Sequence, residues 1–350
     1  MKRTVPFFES PIVLAPLGGP GTVELTAAAC NARAFGSLAC QYSDPERMRR
    51  DIARLRTLTD KPFGLNLFMN NDPPPVDADH LSRAHQRLHV YRDELGVPRP
   101  EVPQSPPLYH DEQMRVVLET RPQAFSFTLG IPSDAVIAEL KAAGIYTIGT
   151  ATTVEEAVAL ERAGIEAVCV QGAEAGGHRG TFLHYEVLPL IGTLALVPQV
   201  VKAVSIPVIA AGGIADGDGI AAVLLLGACA AQLGTAFLLA DEAGTATAYR
   251  DVLKHASASD TIITEAFSGK PARGIANRVT RELADPRERA PYPHQNTMTR
   301  DIRNAAASQG RSEFLSLWAG QAFPLAREAS AAEIIESLLA QTRVALRSRE

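Results

Sequence analysis

Cysteine is scarce and scattered in this chain of 350 residues. The four, Cys30, Cys40, Cys169 and Cys229, show no CxxC spacing, and each sits in an apolar, Ala-rich segment. That weighs against a zinc site or a disulfide frame and predicts buried free thiols in a reducing compartment. Long apolar runs are missing as well. The longest near the N-terminus, residues 12–17 (IVLAPL), is far below the roughly 20 residues a membrane helix needs. It also lacks the h-region and cleavage-site pattern of a signal peptide. Basic charge is not in excess: 34 Lys and Arg face 39 Asp and Glu, a formal net charge of −5. Nucleic acid is therefore without an electrostatic case. Together these absences predict a soluble, cytoplasmic protein whose partners are small molecules, with no metal, no membrane and no nucleic acid.

What is present is an ordinary globular composition, 46% hydrophobic and 21% charged. The length suits one large barrel or two average domains. Eight short apolar runs recur, at 12–16, 35–39, 63–68, 124–129, 146–151, 167–171, 207–211 and 231–236. They are continuous rather than alternating, as expected of strands buried on both faces in a parallel sheet. Helical patterns lie between them. In the clearest, Thr153 precedes apolar residues at helical spacing, with Glu156 placed for a capping box and Gly164 at the C′ position. Asp44 before Pro45, and Asp216 before a run closed by Gly227, mark two more starts. This alternation predicts a (β/α)8 TIM barrel, with an open doubly wound sheet as the alternative.

Two stretches break the rhythm. Residues 70–122 are proline-rich, with Pro73, Pro74 and Pro75 on one side of a charged segment (78–95) and Pro106 and Pro107 on the other. A lid, an oligomer contact and a plain extended crossover all suit this stretch. The second, 243–323, reads as a smaller, mainly helical insertion capping the barrel mouth. The barrel would then comprise 1–242 and 324–350, the latter carrying a last apolar helix at 331–346.

In such barrels the active site lies at the C-terminal strand ends. Two late ends are glycine-rich: Gly212 and Gly213 after the seventh run, and Gly234 with Thr235 after the eighth. Backbone amides there can approach an anion closely, which predicts a phosphate-bearing ligand. Asn66 and Gln171 are amides at otherwise apolar strand ends. They can donate and accept together, as a flavin ring edge requires, or simply satisfy loop backbone. Of the eight histidines, His178 stands out in the glycine-rich segment 171–180 (QGAEAGGHRG), over the mouth. An imidazole there can take a proton or steady an anion. His184 and His294 stand behind it as alternatives.

These segments carry a resemblance. With 15–20 (APLGGP), 63–68 (FGLNLF), 125–130 (FSFTLG), 209–214 (IAAGGI), 232–235 (QLGT) and 268–274 (SGKPARG), the chain resembles the nitronate monooxygenase (2-nitropropane dioxygenase) family, class I. The likeness implies FMN held by Asn66, Gln171, Gly176, Gly213 and the run Gln232, Leu233, Gly234 and Thr235. His178 would act as base or anion stabiliser, and Tyr292 would lie in the substrate pocket. It implies oxidation of alkyl nitronates, typically propionate 3-nitronate, with O2 through a flavin semiquinone, by a monomer or homodimer. Lys270 stands where Arg is commoner. Two other readings use the same loops. One is an FMN-dependent NAD(P)H reductase of enoyl thioesters or quinones. The other is a flavin-free sugar-phosphate lyase or isomerase, which would want a catalytic Lys or paired carboxylates.

Overall fold

The computed structural model describes residues 4–69, 75–102 and 110–347. Eight parallel strands close into a barrel: β1 (Ile12–Leu14), β2 (Phe35–Ala39), β3 (Phe63–Phe68), β4 (Ala124–Thr128), β5 (Tyr146–Ala151), β6 (Ala167–Gln171), β8 (Val208–Ala211) and β9 (Ala230–Leu233). Closure is made by β9 against β1, with Val13 opposite Gln232. The open-sheet alternative is thereby excluded. Strand ends differ from the apolar runs for local reasons. Pro207 has no amide for the ladder, so β8 starts one residue later. Gly234 ends β9, and Thr235–Phe237 turns into a 3-10 helix.

Side-chain caps set the helices of the outer ring. Asp44, Thr153 and Asp216 each accept a backbone N–H from the first turn of their helix. Gly164 takes the left-handed conformation, φ 81°, just past the helix Val154–Arg162. The expected reciprocal box at Thr153 does not form. Glu156 is fully buried, and its carboxylate accepts instead from the Thr152 amide and from the amides of Phe182 and Leu183. The last helix, Ala331–Arg347, packs beside the helices Val23–Asn31 and Gly217–Leu225 and completes the ring. Among the described residues no helix is long and apolar enough to cross a membrane.

A second sheet lies outside the barrel. β7 (Gly177–His178), β10 (Thr261–Thr264) and β11 (Ala272–Ile275) form it in the order β10-β11-β7. The stretch 243–323 is thus helical with a small sheet, and β11 pairs antiparallel with β7, Ala272 opposite His178. Two apolar cores follow. One belongs to the barrel, with a large cluster between strands and helices and a smaller one inside the strand ring around Val13, Phe35, Ile148 and Ile209. The other joins residues of 238–323, Phe267 and Phe314 among them, to Leu81, Leu88, Tyr91 and Leu95. Those four lie on the helices Ala78–Arg87 and His89–Leu95, with Leu88 at the junction between them, so the charged middle of the proline-rich stretch is built into the second core rather than crossing bare. Pro73, Pro74, Pro106 and Pro107 lie outside the described residues.

Candidate active site

The C-terminal strand ends open into a cavity of about 470 Å³, within the roughly 300–1,000 Å³ of small-molecule sites. Asn66 of β3, Thr128 of β4, Thr150 of β5 and Gln171 of β6 reach it from the barrel. Thr245, Tyr249, Arg303 and Trp318 reach it from beyond β9. Gly176, His178, Gly212, Gly213, Gln232, Gly234 and Thr235 also line it, so nearly every residue singled out in the sequence converges here. Leu233 and Tyr292 do not. Strand alternation turns the Leu233 side chain away from the cavity into the packing between strands and helices, 1% exposed. Tyr292 stands behind His178, ring centroids 6.2 Å apart, and touches Phe68 at 6.4 Å. His184 is exposed, and His294 is buried away from the cavity.

The late glycines form the anion end. Gly212 and Gly213 have φ of 108° and 69°, a left-handed backbone that favours glycine. The amides of Gly213, Gly234 and Thr235 meet no acceptor among the described residues. They could hold a phosphate. The helix Gly217–Leu225 contributes less than expected, because the Asp216 carboxylate already accepts from Gly219 N at 2.8 Å. Gly176 lets two loops meet: a Cβ there would fall 2.4 Å from Gly320 N and 2.6 Å from Ala319 C.

The amides at the ring end differ in freedom. Asn66, buried, donates from Nδ2 to Ser126 Oγ at 2.9 Å. Gln171 clamps the loop beyond it, donating to His178 O (3.0 Å) and accepting from Gly180 N (2.8 Å). Both still face the cavity. Gln41, which lines the same wall, has its Oε1 buried without a partner. An orphaned acceptor inside a cavity is costly unless a ligand donor meets it. Cys169 at the cavity floor is no nucleophile, since burial pushes its thiol up to about 12.

His178 is held from three sides. Its backbone pairs with β11, and its ring packs on Phe68 (5.6 Å) and Trp318 (5.8 Å) besides Tyr292. The glycine-rich segment is thus fixed in a short strand at His178. Nε2 is buried with no hydrogen-bond partner. Burial first, then the charges of Lys270 and Arg303, lower its pKa to about 4, so the ring is neutral near pH 7.

The loop after β6 is secured by residues the sequence did not single out. Arg179 is buried and donates to Gln171 O (2.5 Å), Thr152 O (3.2 Å) and Pro189 O (2.9 Å). Arg273 reaches Ala173 O at 2.8 Å. Glu174, the one acid among the strand ends, accepts from the Thr193 amide and hydroxyl, so it is spent on structure. That removes the paired-carboxylate chemistry a flavin-free lyase would use. Arg303, Tyr42 and Trp318 also escaped notice. Arg303 and Trp318 stand far from any strand end in sequence, whereas Tyr42 lies in the loop directly after β2 and Arg179 is next to His178, signals that strand-end position could have supplied.

Comparisons agree with this geometry. The family model described as nitronate monooxygenase matches residues 3–341. The protein named "Probable nitronate monooxygenase" in Staphylococcus saprophyticus is 40% identical over 336 residues, 95% of this chain and 94% of the relative. Among solved structures, a nitroalkane oxidase from Streptomyces ansochromogenes superposes with a TM-score of 0.88 at 39% identity, covering 98% of this chain and 99% of that one. FabK from Thermotoga maritima gives 0.76 at 30% identity, covering 98% and 95%. With a match along almost its whole length, the chain belongs to the nitronate monooxygenase family.

Proposed function

We propose that the barrel binds FMN across its mouth and that the enzyme oxidises alkyl nitronates with O2, propionate 3-nitronate among them. The observation that carries the reading is the neutral, buried imidazole of His178, its Nε2 unpartnered, in the same cavity as three acceptor-less amides. The amides of Gly213, Gly234 and Thr235 would hold the phosphate, and Asn66, Gln171 and Gln41 the ring edge. Bound flavin supplies the electron acceptor that none of these side chains can be.

The side chains divide the remaining work. Lys270 and Arg303 give the cavity a positive field, while the Glu174 carboxylate is turned onto the Thr193 amide and hydroxyl and does not line the cavity. An anionic nitronate is therefore favoured over a neutral ligand of the same shape. As a free base near neutral pH, His178 can accept a proton from a nitroalkane at Nε2, or donate from that atom to a nitronate oxygen. Phe68, Trp318 and Tyr292 keep water from the ring and fix its orientation. On this reading 1–242 and 324–350 hold the cofactor, and 243–323 shapes the substrate end.

The test is a visible spectrum of the purified protein followed by oxygen uptake. We expect a yellow protein that consumes O2 with propionate 3-nitronate and no added NAD(P)H. A colourless protein that fails to take up FMN would overturn the reading. Prompt anaerobic bleaching by NADPH, with none by a nitronate, would replace it with the reductase.

A further inference from the structure

Among the described residues Arg303 is a cavity cation with no ion-pair partner. It stands on the helix Arg300–Gln309, and its guanidinium is anchored along one edge. Nε donates to Thr299 O at 3.3 Å, and Nη2 to Asn296 O (2.8 Å) and Asn296 Oδ1 (3.0 Å). Nη1 has no partner among the described residues, and no Asp or Glu there forms an ion pair with Arg303. The nearest acid in sequence, Asp301, pairs with Arg92 instead, at 2.7 Å. Burial lowers the Arg303 pKa to about 10, which leaves the group charged at neutral pH. A partly desolvated guanidinium with a free nitrogen facing a cavity is unfavourable until an anion arrives.

The surroundings say what kind of anion. Tyr42 lines the same cavity and feels the Arg303 charge. Burial pushes its hydroxyl up to about 12, so it remains a hydrogen-bond donor near pH 7. One ring, Phe68, separates Tyr42 from His178, with centroids 6.0 Å and 5.6 Å away. Two polar ends, joined by a short apolar wall, therefore share one cavity. A charged guanidinium nitrogen with open donors, beside a phenol hydroxyl, suits a carboxylate.

We propose that Arg303 is the specificity-determining residue that binds a carboxylate at the far end of the substrate, while the nitronate end lies at His178. This rests on the nitronate reading above. Arg303 does not touch the reacting atoms; it selects for charge at the tail.

The experiment compares two nitronates in the holoenzyme, propionate 3-nitronate and propyl 1-nitronate, which carries the same nitronate charge but no carboxylate. In Arg303→Met, KM for the carboxylated substrate should rise on the order of 10- to 100-fold, the loss of a charge-assisted hydrogen bond. KM for propyl 1-nitronate should rise much less, since it loses only a share of the cavity's positive field and no hydrogen bond. Arg303→Lys keeps the charge but loses the fork, and should fall between. It carries the test if the Met variant does not fold. An equal rise for both substrates, or no rise for the carboxylated one, overturns the proposal.

A second readout is independent of turnover. Trp318 is the sole tryptophan and lines the cavity, so its fluorescence reports occupancy. Succinate should perturb it saturably in the wild type and far less in Arg303→Met. If the wild type oxidises no nitronate yet succinate binding depends on Arg303, the carboxylate site stands and the oxidation reading falls. If nitronates turn over but succinate binding ignores Arg303, the reverse holds.

Discussion

A histidine with an unpartnered ring nitrogen must be judged by what it does to pH dependence as well as to rate. His178 has a folded pKa of about 4, against about 6.5 for a free imidazole. The folded state therefore binds fewer protons than the unfolded one between these values. Its contribution is fully present above pH 6.5 and is lost as pH falls toward 4. We expect denaturant midpoints to drop across that window, and to drop less steeply in His178→Phe. His85, also lowered to about 4 by burial, acts in the same window, so the slope should shrink rather than vanish. An unchanged slope would mean that the ring is protonated in the fold. For catalysis, His178→Asn should cut turnover of a neutral nitroalkane by roughly 10²–10⁴. Preformed nitronate should lose less if the ring serves as base; equal losses measured by oxygen uptake would assign it to holding the anion. That His178 would line the cavity was legible from its glycine-rich setting at a strand end. Arg303 was not, because nothing in a helix of ordinary composition announces which arginine will face a cavity.

Elements were more legible than contacts, and the glycines show why. Caps are local chemistry, so Asp44, Thr153 and Asp216 could be read as helix starts from a few neighbouring residues. The direction of Glu156 could not, because its partners, Phe182 and Leu183, lie a strand and a loop away. The two-residue β7 was equally hidden: it exists only because β11 comes alongside. Gly176 belongs to this non-local class. A methyl group there would collide with backbone at Gly320 and Ala319, which cannot rotate aside. Gly177 has a positive φ of 76° but nothing within 4 Å of its Cβ position. We expect Gly176→Ala to displace the loop and raise the FMN dissociation constant tenfold or more, about 1.4 kcal/mol. Gly177→Ala should cost stability of about 1 kcal/mol through strain, with a smaller effect on FMN. Fluorescence titration of apoprotein with FMN, beside thermal melts, separates the two.

At the scale of the whole molecule the question is how a helix outside the barrel keeps Arg303 aimed into the mouth. The helix Arg300–Gln309 lies in the second core, where Ile302 and Ala306 are buried. Arg92, fully buried on His89–Leu95, donates to Asp301 Oδ2 at 2.7 Å and to Met298 O at 2.6 Å, gripping the start of that helix. The charged middle of the proline-rich stretch therefore braces the Arg303 side of the cavity from behind, a role that no periodicity within 78–95 could disclose. Arg92→Met keeps the stem's packing and removes the grip. Breaking a buried ion pair costs about 3–5 kcal/mol, and Asp301, a third exposed, puts this case at the lower end. We expect a lower Tm together with a KM for propionate 3-nitronate that rises more than the KM for propyl 1-nitronate, because the error is transmitted through Arg303. FMN affinity should hold, since the glycine amides sit on the barrel's own strand ends and draw nothing from Arg92. A variant that lost FMN and both substrates in parallel would instead mean that the two cores unfold as one, and that the brace is general rather than aimed.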